Sequence, residues 1–383
     1  MIELAPEEAR ELLVGHHGLR APFAKSGAAG VRGLLQQLRC IQLDPLDVLG
    51  TNADLVALAR VDGIARGDVY RHLLPGHAFE HFAKERCLLP ASALPYYRDA
   101  ARGAHWWRFT ERHRRLAPEI IEKVLHEVHE RGPVTAAGLT HHGQVERLDW
   151  HGWKGTGRAT TMALEVLWAD CRVVVCGRSG RGKLWDVPER ALPKVARLPS
   201  GDFQRWGVLE RAEAAGMLSR SGGATWSMLR EARDNKVPDQ LVAEGLLEEV
   251  KLPGSSRSWF LPAGLRKRRF PRDDGRMRIL GPLDPLLWDR ELVRQAFGFD
   301  YVWEVYKPAH LRKWGWYVVP LLQHGQLVGR MEAVIEDGAL VVRKLWPEKG
   351  RKLDRDALAE ALERHARACG AERVKLRASR ARP

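Results

Sequence analysis

Hydrophobic positions near the start of the chain recur at helical spacing and then abruptly alternate. Residues 6–18 read as a helix, with Pro6 in the first turn and Glu7 and Glu8 complementing the helix dipole. "GAAGVRGLLQQLRC" (27–40) predicts a second helix, with Val31, Leu34, Leu35 and Leu38 on one face. "IQLD" (41–44) then switches to period two, the signature of a strand, in which residues i and i+2 share a face. That pattern turns Ile41 and Leu43 toward a core and sends Gln42 and Asp44 together to the other side. Pro45 biases Asp44 toward extended backbone and supports the strand. Short helices follow over 52–61 and 66–74, and a strongly amphipathic one over "PEIIEKVLHEVHERG", opened by Pro118 and closed by Gly132. "PVTAAGL" (133–139) predicts the start of another short helix.

The next pattern occurs twice. "LWADCRVVVCGRSGRGKLWDVPER" (167–190) and "LVAEGLLEEVKLPGSSRSWFLPAG" (241–264) both run helix end, apolar strand, Gly-Ser turn with arginine, aromatic strand, proline. Helices over 156–169 and 237–244 precede them. Helices followed by a strand, turn and strand form the order of a winged helix, whose hairpin can touch phosphate while a helix enters a groove. Unrelated α+β packing gives the same order. From about 275 onward, aromatic and β-branched strands dominate, with turns at "HGQ" and "EDGA", and a helix over 354–369 ends the pattern. This predicts a small antiparallel sheet or barrel. The fold class expected is α+β.

Charge sharpens the picture. The 383 residues carry a formal net charge of +14, with arginine well ahead of lysine. A fold does not need that excess; it attracts polyanions such as nucleic acid, although a genome rich in Arg, Ala and Gly codons also produces it. "RKRRF" (266–270) is either a phosphate contact or a solvated linker. Trp150 and Trp153, beside Lys154, either stack on DNA or begin a helix as core residues. The five cysteines form no CxxC pair, with Cys171 and Cys176 expected on a strand, which points to reduced thiols rather than a zinc site or disulfide framework. The acidic, amphipathic start lacks a signal-peptide pattern, and no apolar run approaches a bilayer span, so the cytoplasm or nucleoid is the expected location.

Familiar catalytic signatures are missing: GxxxxGK[ST], HExxH and GxSxG do not occur. The adjacent pairs His16–His17 and His141–His142 point their rings apart, and no metal site is expected. Gln42 and Asp44 remain. A carboxylate can act as general base or stabilise positive charge, and an amide beside it can orient the same water. The bland alternative is a surface Gln and an Asp that starts a turn before proline.

These residues resemble the winged-helix alkylpurine DNA glycosylases, the group that includes bacterial interstrand-crosslink glycosylases. "IQLDPLDVL" (41–49) matches the Gln-apolar-Asp motif. "FEHFAKERCLLP" (79–90) is similar to the helical segment that follows. "ALEVLWADCRVVVCGRSGRGKLWDVPERALP" (163–193), "GPLDPLLWDRELVRQAFGFDYVWEVYKP" (281–308) and "YVVPLLQHGQLVGRMEA" (317–333) extend the resemblance over nearly the whole chain. It implies tandem winged helices with a β-rich C-terminal domain: a motif-bearing domain over 1–115, further winged helices over 116–197 and 198–272, and the β-rich domain over 273–383. It implies a monofunctional hydrolase of N7-alkylated purines, including bulky adducts or crosslinks, serving repair or antibiotic self-protection. It also implies catalytic Gln42 and Asp44, no cofactor, duplex DNA as partner, no membrane partner, and action as a monomer. DNA contacts are expected from Arg178, Arg181, Lys183, Arg257, Lys154 and Trp153. Lys84 and Arg86 stand where His and a small residue are expected, so they become pocket candidates. The rival reading is a non-catalytic winged-helix regulator, which explains the charge but not the amide-carboxylate pair.

Overall fold

A computed structural model describes residues 1–101, 107–146, 155–180 and 182–376. The chain is a mixed α+β protein that divides into two compact units. One holds Met1–Val69, Phe82–Cys87 and the residues from Gly207 onward; the other holds Tyr70–His81 and Leu88–Trp206.

Among the described residues, two sheets lie wholly within the first unit. One has the order Ile2–Glu3, Leu247–Lys251, Ser258–Pro262, Leu218–Ser219, with the first pair parallel and the others antiparallel. Helix Pro6–His16 packs Leu13 and Val14 into a core with Trp259, Phe297 and Leu327. The second sheet runs Arg278–Ile279, Val318–Gln323, Gln326–Glu336, Ala339–Pro347, Arg373–Leu376. Both turns anticipated from the sequence are present. His324 and Gly325 have φ of 50° and 67°, and Asp337 and Gly338 have 50° and 65°. Two consecutive left-handed residues match the twist of a tight hairpin, and Gly accepts that backbone without steric penalty. Helix Arg355–Ala368, N-capped by Asp354, covers this sheet through Leu358 and Leu362.

In the second unit, helix Pro118–Arg131 precedes Val134–Thr135 and the 3₁₀ turn Ala136–Gly138. The hairpin Gln144–Glu146 and Thr156–Arg158 leads into helix Ala159–Ala169, which is buried on nearly every side. Strands Val174–Ser179 and Gly182–Asp186 follow, with Val134–Thr135 pairing on the second of them.

Five sequence expectations need correction. Residues 79–90 are not helical: Ala78–Ala83 and Glu85–Pro90 form a hairpin, turning at Glu85 with φ of 59°. Phe and Leu flank the polar residues there at strand spacing, and local helix propensity yields to that burial. The predicted strand 41–44 ends at Gln42, because Asp44 folds its carboxylate back onto the chain, as described below. Leu43 is only half-buried. Cys171 is a turn residue after a helix, with φ of 54°, and only Cys176 lies on the strand. Residues 133–139 give a short strand and a single 3₁₀ turn in place of a helix.

Candidate active site

The Gln-apolar-Asp motif begins where helix Gly27–Leu38 stops, with Arg39 in the left-handed region at φ of 61°. Ile41 is fully buried and anchors the strand. The Gln42 carbonyl accepts a hydrogen bond from Asn52 Nδ2 at 2.8 Å, and Asn52 Oδ1 accepts the Leu283 N–H at 3.1 Å. A Cβ on Gly281 would sit 2.5 Å from Asn52 Oδ1, so this approach requires glycine. The Leu43 N–H donates to the Arg86 carbonyl at 2.8 Å. The motif is therefore held by both of its neighbours.

The side chains are held as firmly. Lys84 Nζ donates to Gln42 Oε1 at 2.9 Å and lies 5.4 Å from the centre of the Trp288 ring. Trp288 is fixed in turn by its own bond to the Leu283 carbonyl at 3.1 Å. Lys84 is 9% exposed and Gln42 6%. Burial pushes the Lys84 amine down to about 8, with Cys87 opposing and Arg290 adding to the effect. An ammonium can only donate, so Gln42 turns its oxygen inward. Its amide nitrogen then has no hydrogen-bond partner among the described residues.

Asp44 is half-buried. Its Oδ1 accepts the Leu46 N–H at 2.9 Å, and its second oxygen has no partner among the described residues. Burial raises its pKa above the ordinary carboxylate value, outweighing the bond from Leu46. No hydrogen bond joins Asp44 to Gln42 directly. Beside them, the buried Cys87 thiol donates to the Lys84 carbonyl at 3.3 Å.

The predicted DNA contacts are placed unevenly. Arg178 and Lys183 face each other across the hairpin of the second unit. Both converge on the buried carboxylate of Glu80: Lys183 Nζ lies 3.0 Å from Oε2, and Arg178 bonds Oε1. Arg178 also covers the Tyr70 ring at 4.5 Å. Burial alone would raise Glu80, but Lys183 and Arg178 outweigh it and hold it below the usual range. Arg257 is exposed in the turn of the other hairpin, where its N–H donates to Ser255 Oγ at 3.0 Å. In the basic run, Arg266 pairs with Glu248 at 3.4 Å and Arg268 with Glu213 at 2.8 Å. Arg86 is half-buried and joins the site through its backbone. Trp150, Trp153, Lys154 and Arg181 lie outside the described residues.

Sequence reasoning missed Asn52, Glu80 and Trp288. Only Glu80 left a readable signal: a carboxylate between Phe79 and His81 in an apolar strand needs a cationic partner. Among the described residues, no group of three or more His, Cys, Asp or Glu side chains could hold a metal ion. No helix there is long and apolar enough to cross a membrane.

The fold is mixed α+β, with the Gln42 amide on a short strand and the Asp44 carboxylate just past its end. Residues 35–368 match the family described as DNA glycosylase AlkZ-like, and the chain belongs to that family. It is a DNA glycosylase, an enzyme of DNA repair whose substrate is DNA. Its fold is similar to that of the Streptomyces sahachiroi DNA glycosylase AlkZ, with a TM-score of 0.61 and 17% identity, covering 98% of this chain and 100% of that one.

Proposed function

We propose that this glycosylase hydrolyses the N-glycosidic bond of N7-alkylated purines, bulky adducts and interstrand crosslinks included, and that Gln42 and Asp44 carry the reaction. N7 alkylation places positive charge on the base, so it departs as a neutral molecule and needs little protonation. The demand falls on the sugar, which develops oxocarbenium character and must receive water. Asp44 stabilises that charge and takes the proton from water; Gln42 orients the water with its amide N–H. The observation that carries this reading is the Lys84 bond to Gln42 Oε1, which leaves the amide nitrogen unpaired among the described residues, two positions before a carboxylate with one unpaired oxygen. A raised pKa on a second carboxylate, as glycoside hydrolysis requires, has no role here.

The reading extends to architecture. Pro118–Arg131 through Gly182–Asp186 run helix, strand, 3₁₀ turn, hairpin, helix, hairpin, and Phe203–Ala215 through Ser258–Pro262 run helix, strand, 3₁₀ turn, two short helices, hairpin; the shared ending, helix then hairpin, supports a winged-helix reading of both. We assign winged helices to 116–197 and 198–272, a related motif-bearing domain to 1–115, and a barrel-like β domain to 273–383. The enzyme acts as a monomer on duplex DNA, and the Lys84 departure fits an unusual adduct such as that of a self-protected producer. Lys84 is occupied by Gln42 and largely buried, which favours hydrolysis alone over lyase chemistry.

The test is base release from duplex DNA containing N7-methylguanine or a crosslinked guanine pair. Asp44→Asn and Gln42→Ala are each expected to slow single-turnover release by about 10²- to 10⁴-fold with DNA affinity kept. Retained release in both variants would sink the assignment. A borohydride-trapped protein–DNA adduct that disappears in Lys84→Met would overturn the monofunctional reading.

A further inference from the structure

The segment 298–317 presents aromatic rings that the reaction described above does not use. Tyr306 is 76% exposed, and Leu311 and Trp316 are exposed beside it in sequence. A single bare ring would carry no meaning, but three large apolar side chains exposed on one short segment make it a candidate partner surface. The loop is nevertheless firmly braced. Glu304 is 3% exposed and accepts Lys307 Nζ at 2.8 Å, the Lys313 N–H at 3.1 Å and the Trp314 N–H at 2.7 Å. The Lys307 N–H returns to the Glu304 carbonyl at 2.9 Å, and Arg312 Nε bonds the Lys307 carbonyl at 2.8 Å. Trp303 supports the Tyr306 ring edge-on at 5.7 Å.

This loop shares a core with the catalytic motif. Trp303 packs into the same cluster as Tyr317, Leu46, Val48 and Leu49, the residues that follow Asp44. The Val48 carbonyl is bonded by the Ile335 N–H of the adjoining sheet at 3.0 Å. Residues 305–317 carry Lys307, His310, Arg312 and Lys313 and no carboxylate. An exposed ring on a braced loop that also carries Arg312 and Lys313 matches the chemistry of nucleic-acid stacking, in which aromatic faces meet bases and cations meet phosphates.

We propose that Tyr306 is a DNA-contacting residue, its ring stacking on a base of the duplex beside the damaged nucleotide. It rests on the glycosylase site being at Asp44, since that site sets where the ring falls on DNA. Burial raises the Tyr306 phenol first, and the negative charges of Asp44 and Glu85 add to it, which sets the ring near the Asp44 carboxylate. The ring holds the neighbouring stack in place while the sugar reacts, and Lys307, Arg312 and Lys313 set the loop on the backbone.

The experiment measures binding in the Asp44→Asn background, so that it does not depend on catalysis. The probe is a duplex with a tetrahydrofuran abasic analogue next to 2-aminopurine. Tyr306→Ala is expected to weaken binding by about 5- to 100-fold, the range for loss of one base-aromatic stack. Tyr306→Phe should bind as the parent does. The 2-aminopurine emission should respond to the Tyr and Phe proteins and not to the Ala protein. Unchanged affinity in Tyr306→Ala, or equal loss in the Phe and Ala proteins, overturns the stacking role. A drop in melting temperature matching that of Trp303→Ala would assign the ring to packing and overturn it too. Retained base release in Asp44→Asn would refute the catalytic reading on separate data.

Discussion

Lys84 in the first unit and Glu80 in the second are both buried charged residues, yet they behave in opposite ways. Lys84 meets a neutral amide, and burial pushes it down to about 8. Glu80 meets two cations, which overcome burial and hold its charge. The difference lies in the partner. A dipole compensates a buried ion weakly, so the ion becomes titratable; opposite charges compensate it fully, so it becomes a fixed strut. In the proposed mechanism the lysine orients the Gln42 amide, whereas the glutamate gathers the two cations of its own hairpin.

Breaking the strut should have the larger effect on stability. Glu80→Leu strands Arg178 and Lys183 and is expected to destabilise the protein by about 2–3 kcal/mol, less than a fully buried pair because both cations reach solvent. Urea unfolding measures it. The parent's contribution from Glu80 should be present above pH 4.5 and fade as pH falls through its lower folded value, since a depressed carboxylate is lost by protonation.

Lys84→Met should do the reverse. Between about 8 and 10.5 the unfolded chain binds the proton that folded Lys84 has released, so the parent gains stability as pH rises through that window. The variant should lack that rise and be more stable at neutral pH by about 1–3 kcal/mol, given roughly 1.4 kcal/mol for each tenfold loss of proton affinity on folding. Its base release should fall by about tenfold, because Gln42 loses the donor that sets its orientation, a cost in the range of one hydrogen bond to a charged group. The parent's rate should decline above about pH 8 as Lys84 discharges, and Lys84→Met should lose that alkaline limb. A variant that is less stable, with the limb intact, would erase the contrast between the two residues.

The smallest effect separates exposed from tethered cations. Arg257→Ala should lower the slope of log affinity against log salt by about 0.9, the value for one phosphate contact. Lys183→Ala should lower it less, because Glu80 already holds that ammonium. Equal slopes would show that the Glu80 bridge opens on DNA.

Local chemistry made much of this legible. The helices at 6–16, 118–131 and 355–368 and the two tight hairpins of the last sheet follow from periodicity, N-caps, Pro at helix starts and Gly in left-handed turns. Gln42 and Asp44 were readable as a candidate pair, though not their surroundings. The hairpin at 78–90 was misread because its pairing with Ile41–Gln42 is a long-range matter that no local propensity encodes.

By itself the sequence determined the α+β class, the basic character and the amide-carboxylate motif, since each depends on residue type and near-neighbour spacing. Only the tertiary structure decided that Lys84 would seize Gln42, that Asn52 would tie the motif to 281–283, and that Glu80 would gather Arg178 and Lys183. Those contacts join residues far apart in the chain. Their energies arise from shared burial, a property that a single position acquires only once its distant neighbours are in place.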